Sequence, residues 1–322
     1  MKRINPKYEP IAVSKILRKD EYRNLAKKND MVATAYLLYH TAVLFFLGTC
    51  LNISMQSEIY SLSLLIFMLY CSAFNFLGTA GAMHEFSHNT VFTQTSINSF
   101  FFKLLGILTW TNASMFKATH LNHHRNFLFE DDLEGTLGHG KRLKSLEIIG
   151  KIFFSPSNVS KRVYYTILSA LGTFKNPKLK SLLDEKQKSN IQIDALSTIS
   201  FHSLMIYLSY SINSYYPVLL LTVPSFIAQY PTYLLASSQH NVEIGEANKY
   251  TQLSASVSMN LPFFLRALYW NMNFHSEHHL APAVPHYNLR KLQQALMRSP
   301  STKENLNIQS LKSEMRGNYV KN

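Results

Sequence analysis

Two stretches of this chain are almost without charge. From residue 31 to residue 84 the single charged side chain is Glu58, and from 195 to 242 there is none. Each stretch is about twice the roughly 20 apolar residues that one membrane-spanning helix requires. Each also has a polar break near its middle, at 52–58 in the first and 213–217 in the second. The pattern predicts four spans in two hairpins, about 32–51, 60–82, 194–212 and 216–237. Three shorter apolar runs, 100–110, 164–174 and 261–270, are too short to cross and have Lys or Arg within or beside them. They are read as helices lying in the membrane interface or packed over the membrane domain. The expected fold class is an all-α membrane protein, four transmembrane helices in two hairpins under a cytoplasmic helical cap. The expected organisation is a basic segment at 1–30, a membrane domain at 31–295 and a polar tail at 296–322.

Charge orients this arrangement. The first 30 residues carry nine Lys or Arg, and the turns joining each pair of spans carry none, so all 32 basic residues fall on one side. The positive-inside bias makes that side the cytoplasm. The expected location is a multi-pass position in a bacterial inner membrane or a eukaryotic endoplasmic reticulum. A net charge of +13 then belongs to a surface facing anionic lipid headgroups. Basic residues interleaved with stacking aromatics on a soluble fold, the mark of nucleic-acid binding, are not the pattern here. Cys50 and Cys71 lie in the first two spans without a CxxC partner and read as apolar filler. The first 30 residues are polar, so no secretory signal is expected.

The chemistry is concentrated in histidine. Nine of the 13 fall in three clusters and one single position: His84 and His88; His120, His123 and His124; His240; His275, His278 and His279. Residues four apart share a helix face, so His84 and His88 can reach one ion. The spacing 0, 3, 4 recurs in the second and third clusters, where two rings can serve one ion and the third its neighbour. His240 follows the fourth span at the same depth as the clusters. An even number of spans separates each cluster from the next, so all nine rings emerge on one side and can meet. His40 and His202 lie within spans and are expected to make hydrogen bonds in the bundle, while His139 and His286 read as loop residues. Imidazole is the commonest metal-ligating side chain, and nine suggest two ions. A nitrogen donor set without cysteine suits zinc, copper or iron.

At this point the chain resembles the membrane fatty-acid desaturase superfamily. The three histidine boxes of that superfamily match His84-Glu85-Phe86-Ser87-His88, then His120-Leu121-Asn122-His123-His124, then His275-Ser276-Glu277-His278-His279 with the tail Leu280-Ala281-Pro282-Ala283-Val284-Pro285. The resemblance runs over roughly residues 30 to 295. It implies a non-haem di-iron enzyme with four spans, a cytoplasmic catalytic cap and a further ligand after the fourth span, which His240 matches. His275 stands where front-end desaturases carry glutamine, which separates the chain from that subgroup. Glu85, Asp132, Glu134 and Glu277 are candidates to accept the second ring N–H of metal-bound histidines, and Asn273 a candidate to hold a metal-bound water.

The expected activity is O2-dependent introduction of a double bond into a fatty acyl chain held as a thioester or in a lipid. Two iron ions are the expected cofactors and O2 the co-substrate. The chain carries no flavin, nicotinamide or haem fingerprint, so electrons are expected from a separate ferredoxin-like or cytochrome carrier. One alternative is a hydroxylase or ketolase of a lipid or carotenoid on the same metal pair. A remote alternative reads His84-Glu85-x-x-His88 as the HExxH signature of a membrane zinc metalloprotease with Glu85 as general base, which leaves seven clustered histidines unused.

Overall fold

The computed structural model describes residues 16–127, 131–134, 149–150, 152–239, 256–298 and 308–310. The described residues are mostly helical, with one pair of three-residue strands. Helix α1 (Lys19–Leu25) leads into α2 (Asp30–Gln56), whose first turn is capped by the Asn29 side chain accepting from the Val32 N–H at 3.2 Å. A tight turn through Glu58 returns the chain into α3 (Tyr60–Asn75), and α2 and α3 pack as the first hairpin. At 27 residues α2 is about 40 Å long, enough for a bilayer core of about 30 Å. The stretch Lys19–Gln56 is the one among the described residues that is long and apolar enough by length and composition to cross a membrane. Its outer face exposes Leu38, Phe45, Phe46 and Ile53, and α3 exposes Leu62, Leu64, Leu65 and Leu69.

The second expected span, 60–82, is shorter in the structure. Helix α3 stops at Asn75, whose side-chain amide donates to the carbonyls of Cys71, Pro224 and Ile227. The chain then turns sharply, and the Ala82 N–H bonds back to the Phe76 carbonyl at 2.9 Å. Gly81 permits this closure, since a Cβ there would lie 2.1 Å from the Phe76 oxygen. The turn delivers α4 (Ala82–Ser87), which carries the first histidine pair beneath the apolar core of Phe74, Phe86, Phe92 and Trp270.

Helices α5 (Thr95–Leu108) and α6 (Ala113–Asn126) follow, the latter capped by Asn112 accepting from the Met115 N–H at 3.0 Å. After α7 (Pro156–Ala170) and α8 (Pro177–Leu182), a capping box of Asp184 and Gln187 opens α9 (Glu185–Ser211). Helix α9 begins well before residue 194, because its first turns are polar and pack against the cap; Asp194 takes Lys103 at 2.6 Å and the Ser114 N–H at 2.7 Å. Further along, α9 exposes Leu204, Ile206, Tyr207 and Tyr210.

The fourth expected span, 216–237, is not one helix. It divides into α10 (Tyr216–Leu221), a 3-10 turn (Val223–Ser225) and α11 (Tyr230–Ser238). Pro217, Pro224 and Pro231 each fall in the first turn of one of these pieces, where a missing N–H costs nothing, and each bars the preceding helix from continuing. Beyond it, strand β1 (Ser258–Asn260), α12 (Phe263–Leu268), α13 (His275–Leu280) and α14 (Leu289–Met297) complete the cap, with β2 (Ile308–Ser310) parallel to β1. Helix α14 buries Leu289, Leu292 and Leu296 against Leu17 and Leu25 around α1.

Candidate metal centre

Three short helices bring histidines from distant parts of the chain to one place. His84 is on α4 and His88 at its C-cap; His120, His123 and His124 occupy the last turns of α6; His275, His278 and His279 form one face of α13. The approach to α13 is conformationally costly: Trp270 and Asn271 both adopt left-handed backbone, φ 54° each. Such residues cost on the order of 1–3 kcal/mol each and persist where the surroundings over-determine them. Here Trp270 is fully buried and donates to His40 at 3.1 Å, and Asn271 donates to the Tyr36 hydroxyl at 2.6 Å.

The ring nitrogens form a chain of close approaches. Nε2 of His88 lies 2.9 Å from Nε2 of His120, which lies 3.1 Å from that of His124; His124 is 3.3 Å from His278, and His278 is 3.0 Å from His84. All five donor atoms fall within 4.8 Å of one another. Hydrogen bonds do not account for this chain. A ring N–H has no lone pair with which to accept, and each Nε2 carries at most one hydrogen, yet those of His120, His124 and His278 each face two neighbours. The opposite nitrogens point outward to acceptors. His84 Nδ1 faces the Thr79 carbonyl at 3.3 Å, His120 Nδ1 faces Glu134 Oε2 at 3.2 Å, and His278 Nδ1 faces Glu85 Oε1 at 3.2 Å. An Nδ1–H donated outward leaves a bare lone pair on Nε2, aimed inward, which is how metal-binding imidazoles are held. Ligand nitrogens at roughly 2.0–2.1 Å from one ion are separated from each other by roughly 3 Å, which is the spacing seen.

A second group adjoins the first. His275 and His279 approach at 3.1 Å between Nε2 atoms, and the His123 ring lies 5.0 Å from that of His279. His124 joins the groups, its ring 4.6 Å from His279. His123 Nδ1 is held by Asp132 Oδ2 at 2.7 Å, while Asp132 Oδ1 takes the Glu134 N–H at 2.9 Å. The structure thus assembles eight of the nine expected histidines. His240 lies outside the described residues; Gln239, immediately before it, is buried and lines a cavity shared with His275.

Burial and, after it, the neighbouring imidazoles hold His84, His88, His120, His124 and His278 well below the ordinary histidine range. They are therefore neutral at physiological pH, the form that ligates a metal. Burial pushes Glu85 up to about 8 and Glu134 up to about 7, so each is a poor anion until a cation arrives beside it.

The remaining candidates are placed differently. Glu277 accepts from the Ser258 hydroxyl and from Gln293 at 2.8 Å, tying α13 to β1 and α14. Asn273 donates to the Met259 carbonyl at 2.7 Å, and its Oδ1 is buried without a hydrogen-bond partner among the described residues. His202 bonds the Ile107 carbonyl and the Thr222 hydroxyl, each at 2.9 Å, and His40 bonds the Ala73 carbonyl at 3.1 Å, both as expected of packing histidines. His286 is not a loop residue facing water. It is fully buried, edge-on to Tyr36 with centroids 4.6 Å apart, and burial pulls its pKa down to about 3. Its sequence surroundings, a Pro-rich turn, give no sign of this.

A cavity of about 550 Å³ reaches His84, His123 and His275 from the side of α7 and α11. A helical frame with a buried, neutral, metal-competent histidine cluster beside a cavity defines a candidate metalloprotein site. A family model for fatty acid desaturases matches residues 59–308, and the chain belongs to that family. No curated protein matches the sequence. Membership makes the protein an oxidoreductase of the desaturase and hydroxylase type, with a metal site consistent with the di-iron centre of the family.

Proposed function

We propose that the protein is an O2-dependent desaturase that introduces a double bond into a fatty acyl chain. The observation that carries this reading is the convergence of eight imidazoles, five of them with ring nitrogens within 4.8 Å of one another and held neutral by burial, and three with Nδ1 tethered outward. His84, His88, His120, His124 and His278 would hold one iron, and His123, His275 and His279, with His240, the other. Bound iron supplies the electrons to O2 that removal of hydrogen from an unactivated C–H bond requires. The reaction balances as one CH2–CH2 unit, O2, two electrons and two protons giving one CH=CH unit and two waters. The electrons come from a separate ferredoxin-like or cytochrome carrier, for which a surface of net charge +13 is suited if the carrier is acidic.

The protein's residues bind and orient. Thr79, Asp132 and Glu134 fix the ring orientations of His84, His123 and His120, so those nitrogens need not reorganise when metal enters, and Glu85 lies 3.2 Å from His278 Nδ1. Glu85 faces the outward nitrogen of His278, which suits a positioning role and not that of a protease base. The exposed apolar faces of α2, α3 and α9 suit contact with lipid; four crossings, with the histidines on the cytoplasmic side that carries the basic residues, are part of the proposal.

The test is expression in a host of defined lipid composition, followed by mass spectrometry of its fatty acids. Loss of two hydrogens is expected with the wild-type chain and not with His278→Ala. Gain of one oxygen would replace desaturation with hydroxylation, and an unchanged profile with an active electron donor present would refute both.

A further inference from the structure

The geometry points to Arg162 as the binding site for an oxyanion head on the substrate, a carboxylate or a phosphate, placed at the inner end of an entry path that leads to the histidines. The inference rests on the acyl-substrate reading above and sharpens it. Arg162 is on α7 and lines the 550 Å³ cavity that reaches His84, His123 and His275. It also lines a second, more open pocket of about 320 Å³ on the outer side, together with Lys161 and Gln229. Arg162 and Gln229 are common to both, so the two spaces meet at these side chains.

The guanidinium is poorly provided for by the protein. Among the described residues it donates to the Ser225 carbonyl alone, an acceptor that Gln229 also uses at 2.6 Å, and it has no carboxylate partner. Its carbon lies 5.8 Å from the centre of the Phe226 ring, and burial draws its pKa down to about 10. A part-buried cation without an anion beside it is costly and is retained where it meets a ligand. Guanidinium is the side chain that matches carboxylate and phosphate oxygens two at a time. Helix α7 itself exposes Tyr164, Tyr165 and Ile167, the surface of a helix lying at the lipid interface, where an amphiphile presents its head. An oxyanion on Arg162 would leave the carbon to be oxidised at a set distance from the head, fixed by the run of the cavity to the histidines.

The test uses the full-length, iron-loaded chain in lipid nanodiscs, titrated with hexadecanoate, hexadecyl phosphate or hexadecan-1-ol. Binding is read from the fluorescence of Trp110, whose ring centre lies 5.1 Å from that of Phe226. At least one oxyanion is expected to bind ten-fold or more tighter than the alcohol, and the pair identifies which head is preferred. Arg162→Gln should weaken oxyanion binding about 10–100-fold, the usual worth of hydrogen bonds to a charged group, with the alcohol unchanged. Arg162→Lys should recover part of the loss. Equal binding of oxyanion and alcohol by the wild type, or an oxyanion affinity unmoved in a folded Arg162→Gln, would overturn the inference and leave the desaturase reading standing. If none of the three binds, this inference fails, and the fatty-acid mass spectrometry above decides the acyl reading separately.

Discussion

Asp132 is the point at which the two metal groups share a support, and Asp132→Asn tests how the support works. One carboxylate oxygen holds His123 Nδ1 at 2.7 Å and the other takes the Glu134 N–H at 2.9 Å. Glu134 in turn faces His120 Nδ1 at 3.2 Å. An asparagine of the same shape has one acceptor and one donor group, so one of the two contacts becomes donor against donor. His123 belongs to the group with His275 and His279, and His120, through Glu134, to the five-membered group, so whichever contact fails, one group is loosened. Loss of such an outer partner lowers metal affinity 10–100-fold, which is about 1.4–2.8 kcal/mol. The assay is iron retained per chain against a graded series of chelator, with thermal unfolding of the iron-free protein as the folding control. At least one iron should be released at about 10–100-fold lower chelator strength. Retention equal to wild type, in a variant that folds, would refute the claim that the outward hydrogen bonds organise the cluster.

Phe86→Ala empties a fully buried site at the core beneath α4 and should lower stability by about 3–5 kcal/mol, read by denaturation in detergent. Gly81→Ala forces a Cβ to within 2.1 Å of the Phe76 oxygen and should displace α4, lowering iron content more than any exposed Gly→Ala change; unchanged iron would contradict the close turn. The iron-free protein should lose stability as pH falls below about 6.5. Five buried histidines stay neutral when folded and take up protons when unfolded, so the unfolded state gains. Glu85 and Glu134, raised to about 8 and about 7, act in the opposite sense as pH rises from the ordinary glutamate range, but they are fewer. A melting temperature that stays flat or climbs between pH 7 and pH 5.5 would contradict the neutral cluster.

The histidine site was legible in the sequence because helical periodicity carries it. A spacing of 0, 3, 4 puts rings on one face whatever the rest of the fold does. Asp132 and Glu134 were legible through the family resemblance, which expects acidic residues after the second box; the contacts of Glu134 with His120 and Asp132 with His123 came from the structure. What the pattern of apolar residues hid was backbone detail. Hydropathy continues unbroken from 60 to 82, yet Asn75 and Gly81 turn the chain. It continues again from 216 to 237, where three prolines a heptad apart divide the helix. The role of Glu277 depends on Ser258 and Gln293, and the burial of His286 on Tyr36 and Trp270. Those partners are remote in sequence, and no local spacing announces them.

Metal content bears most directly on the shared cluster. The purified chain should hold two iron ions, and either His123→Ala or His278→Ala should lose iron, while His202→Ala, a change at a packing histidine, should keep it. One zinc per chain, or full iron in a His278→Ala protein, would contradict the account.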